Sequence, residues 1–149
     1  MANKVEIVNK KAKFEYTILD KYEAGIVLTG TEIKSIRQNK VSLSDAYCVF
    51  KDGELWAKNI HISEYANGTY NNHDPKRDRK LLLHKYQLKR LESKIKESGL
   101  TIVPLRLYLN DKGLAKLEIA LVRGKKEYDK REAIKKRESE RNISKYLKP

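Results

Sequence analysis

The stretch FEYTILDKYEAGIVL, residues 14–28, alternates apolar and polar side chains with a period of two. Phe14, Tyr16, Ile18, Tyr22, Ala24, Ile26 and Leu28 fall on one face, interrupted by Asp20; Glu15, Thr17, Lys21 and Glu23 fall on the other. A β-strand puts every second side chain on the same side, so this pattern commits the chain to a sheet with one buried face. It predicts one long strand or two joined at a bend. Gly25 is the weak point, because glycine offers nothing to pack.

The period then changes. In TGTEIKSIRQNK, Thr29 and Glu32 have capping-box spacing, and Ile33 and Ile36 lie three apart, which predicts a short helix with a narrow inward stripe. Lys34 and Arg37 share another side of it. AYCVF and LWAKNIHISEY flank KDGE, and Asp52-Gly53 signals a hairpin, since a type I′ turn needs positive φ at both central positions. YANGTYNNHD reads as a loop. HDPKRDRKLLLHKYQLKRLESKIKESG predicts a helix capped by Asp74, with Pro75 in its first position. Leu81, Leu88, Leu91 and Ile95 keep helical spacing, and Gly99 ends the run. Lys76, Arg77, Arg79 and Lys80 would crowd the helix start, where the macrodipole disfavours cations, and an anionic ligand would explain them. TIVPLRLYL and LAKLEIALV flank NDKG as a second hairpin, with Val103, Leu105, Leu107 and Leu109 on one face and Leu117, Ile119 and Leu121 on the matching one.

This order predicts a mainly β fold with accessory helices. Five strands with a helix between the third and fourth match an OB-like closed antiparallel β-barrel; an open α+β sheet is the structural alternative. The expected division is a barrel domain over residues 1–123, with residues 1–13 as a basic arm, and a basic tail over residues 124–149.

The chain of 149 residues carries 33 Lys and Arg against 20 Asp and Glu, a net charge of +13. Such a balance suits a polyanionic partner, because neutralised phosphates release counterions. An acidic membrane surface and simple solubility are the other readings. No apolar run approaches the ~20 residues that span a bilayer. The start, MANKVEIVNKKAK, lacks a hydrophobic signal region, and Cys48 is the single cysteine, so a reducing cytoplasm is expected. Cys48 lies in an apolar strand and reads as a packed thiol. His61, His73 and His84 are scattered, and none stands at metal-ligand spacing from Cys48. There is no phosphate-cradling glycine loop and no nucleophile elbow. The expectation is therefore a protein without metal, cofactor or catalytic group. Glu23, on the polar face beside Gly25, reads either as solvated surface or as an acceptor for base edges or riboses. Tyr22, Tyr65, Tyr70, Tyr86, Tyr108, Tyr128 and Tyr146 lie near charges or polar loops, where rings suit base stacking. Core packing fits Tyr22 better, and stacking fits Tyr128.

The tail holds ten Lys or Arg and five Asp or Glu, a net +5, which leaves +8 for residues 1–123. Helical pairs such as Glu127 with Arg131 and Glu132 with Lys136 would add only ~0.2–0.5 kcal/mol each. That does not offset helix nucleation without a packed face, so the tail is expected to be disordered when free. Ile134, Arg141 and Lys145 would share one face, too mixed for a membrane helix but suited to a phosphate-lined channel.

The stretches NKKAKFEY, YEAGIVLTGTEIKSIR, DPKRDRKLLLH and GKKEYDKR resemble the SsrA-binding protein family, also called small protein B, and the resemblance covers essentially the whole chain. It implies an OB-like barrel that binds the tRNA-like part of transfer-messenger RNA, in place of an anticodon arm. It implies entry into a stalled ribosome, with the tail helical in the empty messenger channel and decoding centre, against small-subunit ribosomal RNA. Translation then resumes on the RNA's own frame and the nascent chain is tagged for proteolysis. The family is non-catalytic; elongation factor Tu supplies the GTPase that delivers the alanylated transfer-messenger RNA.

By the resemblance, Glu23, Leu82 and His84 match the RNA-contact positions, some members having Asn where His84 stands. Lys10, Lys11, Lys13, Lys34, Arg37, Lys76, Arg77, Arg79 and Lys80 are the cations expected along the RNA backbone. Gly124, Lys125, Lys126, Tyr128, Asp129, Lys130 and Arg131 match the decoding-centre motif, with His in some members at Tyr128. Tyr146 and Leu147 match an apolar pair used late in accommodation. Phe14 stands where many members have His.

Overall fold

The alternation of residues 14–28 does not run as one face. In the computed structural model, which describes residues 5–66, 72–97 and 99–124, residues up to 15 form a helix, α1 (Lys10–Glu15), preceded by a short strand, β1 (Glu6–Val8). The long strand β2 (Tyr16–Ile26) follows at once. Its register against the last strand, β9 (Ala115–Gly124), shifts between Ile18 and Asp20. The extra residue flips the pleat, so Tyr16 and Ile18 pack into one apolar cluster while Tyr22, Ala24 and Ile26 pack into another. The irregularity is thus at Leu19, beside the acid that broke the pattern, and not at Gly25. Asp20 is held there by the Tyr22 hydroxyl, which donates at 2.8 Å, and by Lys94 at 3.4 Å.

Residues 5–13 are likewise no free arm. β1 pairs with β8 (Leu100–Leu109), and α1 lays Ala12 on Val103, Leu105, Ala120 and Val122. Asn9 caps α1 and is buried. Its amide donates to the carbonyls of Leu43 at 3.2 Å and Pro104 at 2.9 Å, and its oxygen accepts from the Ala12 N–H. A second register shift, between Pro104 and Arg106, sends Leu105 to this outer cluster and Leu107 to the main core. The single apolar face expected for residues 103–109 is therefore split in two.

Thr29 and Glu32 form the expected capping box at the head of α2 (Gly30–Arg37), which buries Ile36 fully. Strands β4 (Tyr47–Lys51) and β5 (Glu54–Lys58) form the expected hairpin, with φ of 53° at Asp52 and 76° at Gly53. Two short strands, β3 (Val41–Ser42) and β6 (His61–Ile62), pair with each other.

The helix expected from residue 75 onward is the largest correction. Residues 74–77 turn, with the Asp74 carboxylate accepting from the Lys76 N–H at 2.9 Å. Residues 79–82 are a strand, β7 (Arg79–Leu82), between β5 and β2. The helix α3 (Lys85–Ile95) starts only after His84. Burial in β7 alternates, Arg79 and Leu81 in and Leu82 out. Leu81 and Leu88 are a whole number of helical turns apart by coincidence. Leu91 is fully buried on α3, with Leu88 and Ile95 packed beside it.

Seven strands form one antiparallel sheet in the order β1-β8-β4-β5-β7-β2-β9, and β9 pairs back onto β8. Leu55, Ile60, Leu81, Ile102, Leu107, Leu117 and Ile119 are fully buried in the principal core with Cys48, whose thiol burial pushes up to about 12. Gly124 pairs with Tyr16, so β9 runs one residue into the expected tail. Among the described residues no helix is long and apolar enough to cross a membrane.

Candidate nucleic-acid interface

Three strand pairings assemble the outer face of the sheet. Gly25 lies opposite Leu82 on β7 and opposite Lys116 on β9, and Lys116 lies opposite Tyr108 on β8. One step along, Glu23 faces Glu118, and Glu118 faces Arg106. The residues between them, Ala24, Leu81, Leu107 and Leu117, are buried, so period-two geometry turns this whole set outward.

Glu23, Gly25, Leu82, Leu83, His84, Gln87 and Lys116 line a cleft of about 330 Å³. Each wall has a local cause. Gly25 lets Leu82 approach: a Cβ there would meet the Leu82 Cβ at 3.3 Å. Leu82 is 53% exposed at the end of β7, an unusual place for leucine in a sheet whose other face is packed. His84 is extended and sits just before α3, and its N–H donates to the Gln87 side chain at 3.3 Å. Its ring stacks on Tyr86, with centroids 5.7 Å apart and planes 13° from parallel. The Tyr108 hydroxyl donates to the Glu23 carboxylate. Burial, then that hydrogen bond, push the Tyr108 phenol up to about 12. Arg106 lies over the Tyr108 ring at 4.3 Å. The cleft therefore offers a fixed carboxylate, an ammonium, exposed rings and an apolar ledge. That set suits hydrogen bonding and stacking to bases or riboses more than simple phosphate neutralisation.

A family model for "SmpB protein" matches residues 6–149. The chain belongs to this family. It is 55% identical over 148 residues to the SsrA-binding protein of Parabacteroides distasonis, covering 99% of this chain and 97% of that one. It is 60% identical over 139 residues to the SsrA-binding protein of Cytophaga hutchinsonii, covering 93% and 91%. A solved structure described as "tmRNA-SmpB: a journey to the center of the bacterial ribosome" matches with a TM-score of 0.71 and 47% identity, over 87% of this chain and 94% of that chain.

The SmpB cations expected from sequence scatter over several surfaces. Lys10, Lys11 and Lys13 are exposed on α1, where Lys11 lies 3.9 Å from Glu15 and 3.6 Å from Asp45. Lys34 and Arg37 are exposed on α2, with the Lys34 ammonium 5.4 Å from the centre of the Tyr65 ring. Lys76 is exposed in its turn, and Lys80 lies 3.8 Å from Glu54. None of these seven lines the cleft with Glu23.

Arg79 is a correction. It is fully buried, donating to Glu32 at 2.5 Å, to the Ile60 carbonyl at 2.7 Å and to the Pro75 carbonyl at 3.2 Å. Arg77 donates to the other Glu32 oxygen at 2.7 Å and to the Val27 carbonyl at 3.1 Å. Both guanidiniums tie the loop before β7 to α2, which is a structural task. Burial raises the Glu32 pKa, but the Arg77 hydrogen bond, the Thr29 N–H and Arg79 together outweigh it and hold the carboxyl below its ordinary range.

Lys125, Lys126, Tyr128, Asp129, Lys130, Arg131, Tyr146 and Leu147 lie outside the described residues, and of the predicted tail motif only Gly124 falls within them. Sequence reasoning missed Lys116, Gln87, Arg106 and Glu118. Lys116, Arg106 and Glu118 stand on the polar side of recognised alternations, but nothing local reveals that β9 pairs with β2; Gln87 lies on α3 and carries no signal beyond its polarity. Tyr108 carried a partial signal as a tyrosine among charges.

Proposed function

We propose that this chain binds the tRNA-like domain of transfer-messenger RNA and delivers it to stalled ribosomes for trans-translation. The observation that carries this reading is the convergence in one cleft of Glu23, on β2, with Leu82 and His84, from the end of β7 and the link to α3 more than fifty residues later. The family match and the likeness to a tmRNA-SmpB structure support it. In this reading the fold is an OB-like closed barrel. That is supported by the return pairing of β9, the last strand of the order, onto β8, the second. Residues 1–123 form the RNA-binding body, and the basic tail enters the empty messenger channel and decoding centre. The protein acts in the cytoplasm as a non-catalytic partner of alanylated transfer-messenger RNA and elongation factor Tu.

The cleft fixes the RNA by a charge-assisted hydrogen bond at Glu23 and by contact with the Leu82 ledge and the His84 ring. Outlying cations on α1 and α2 attract the backbone. The test is a gel-shift titration with transfer-messenger RNA against bulk duplex RNA at ~150 mM salt, where non-specific phosphate contacts weaken. Wild type should prefer transfer-messenger RNA, and Glu23→Lys should lose about tenfold or more, the worth of a hydrogen bond to a charged group. Equal affinity for both RNAs, or an unaffected variant, would remove the cleft from the site.

A further inference from the structure

An RNA-facing surface has reason to avoid carboxylates, yet this one presents two directly opposite each other, Glu23 on β2 and Glu118 on β9. Like charges facing across a strand pair repel. Here each is held by a different partner. Arg106 Nε donates to Glu118 at 3.3 Å, and its Nη1 reaches Glu6 at 3.4 Å. With its plane anchored at both ends, the guanidinium lies over the Tyr108 ring. Tyr108 then reaches the Glu23 carboxylate. A carboxylate only accepts, so the phenol is the donor, and it engages Oε2 alone.

From this geometry we infer that Tyr108 is a positioning residue: clamped under Arg106, it holds one oxygen of Glu23 so that the carboxylate turns its other oxygen to a hydrogen-bond donor of the bound RNA. The inference rests on the reading of the cleft as the RNA site. A free glutamate on a strand samples several rotamers, and fixing it beforehand removes that entropy from binding. The raised phenol keeps its proton throughout the neutral range, so it remains a donor there. Because the clamp already engages Oε2, Oε1 is the carboxylate oxygen with no protein partner among the described residues and the first acceptor offered to the RNA.

The test uses the full chain with Tyr108→Phe, Glu23→Ala and the double variant. Each is titrated with the tRNA-like domain of transfer-messenger RNA, with urea midpoints as a fold check. Glu23→Ala should weaken binding about tenfold or more. Tyr108→Phe, which keeps the ring and its stack, should weaken it roughly 3- to 10-fold, and the double variant should bind no worse than Glu23→Ala. Arg106→Lys retains the charge but not the plane, so it should fall toward the Tyr108→Phe value while its urea midpoint holds. Wild-type binding by Tyr108→Phe, or losses that simply multiply in the double variant, would overturn the inference while leaving the cleft intact. Wild-type binding by Glu23→Ala would instead overturn the cleft as the RNA site, and the inference with it.

Discussion

Removing the charge of Glu32 should destabilise the chain far more than removing any exposed carboxylate. Its two oxygens hold Arg77, Arg79 and the Thr29 N–H, and Arg79 is wholly buried. Glu32→Gln leaves a buried guanidinium uncompensated, at about 3–5 kcal/mol. Urea denaturation should show the midpoint falling with an unchanged slope. The pH dependence follows from the lowered carboxyl. A depressed acid contributes fully above its unfolded value, near 4.5, and its contribution is lost as pH falls through the lower folded value. Thermal melts of the wild type should therefore drop steeply below pH ~4.5, and Glu32→Gln should flatten that acid limb. At this scale the sequence was legible wherever the cause was local. Thr29 and Glu32 announce a capping box by spacing, and Cys48 announces a packed thiol by its neighbours. It was illegible at Arg79, whose role depends on a carboxylate 47 positions away.

The first helix decides how the amino-terminal segment behaves. Read as an arm, this segment should be dispensable for stability; as folded, residues 5–13 close an outer cluster. Asn9 satisfies two distant carbonyls, Leu43 after β3 and Pro104 within β8, while capping α1. Asn9→Ala should cost about 1–3 kcal/mol, combining a lost cap with buried acceptors left unpaired. Hydrogen exchange should then rise at α1 and in β1. Unchanged exchange there would mean α1 does not depend on its cap. The hairpin at Asp52-Gly53 was legible because a two-residue turn needs positive φ, and few residues supply it. Strand β7 was not. Its four residues carry too short a pattern to compete with a run of helical spacing, and its pairing with β5 and β2 is non-local.

At the scale of the whole molecule, the charge of +13 is spread over body and tail. Deleting residues 125–149 should leave affinity for transfer-messenger RNA nearly intact and the urea midpoint unmoved, because the described core closes without them. The same deletion should abolish peptide tagging in a reconstituted stalled-translation assay; tagging by the shortened chain would refute the division of labour. Binding by the body should still weaken with salt, since cations on α1 and α2 lie outside the cleft and act through counterion release. The sequence alone determined the class of partner, the predominance of strands and both hairpins, because charge, period-two alternation and turn chemistry are local properties that any window displays. Only the tertiary structure decided which cations are surface and which are struts, where the two register shifts divide the core, and which side chains meet Glu23. Those outcomes depend on pairings between residues as far apart as Tyr16 and Gly124, and a strand's own residues do not say which neighbour it will take.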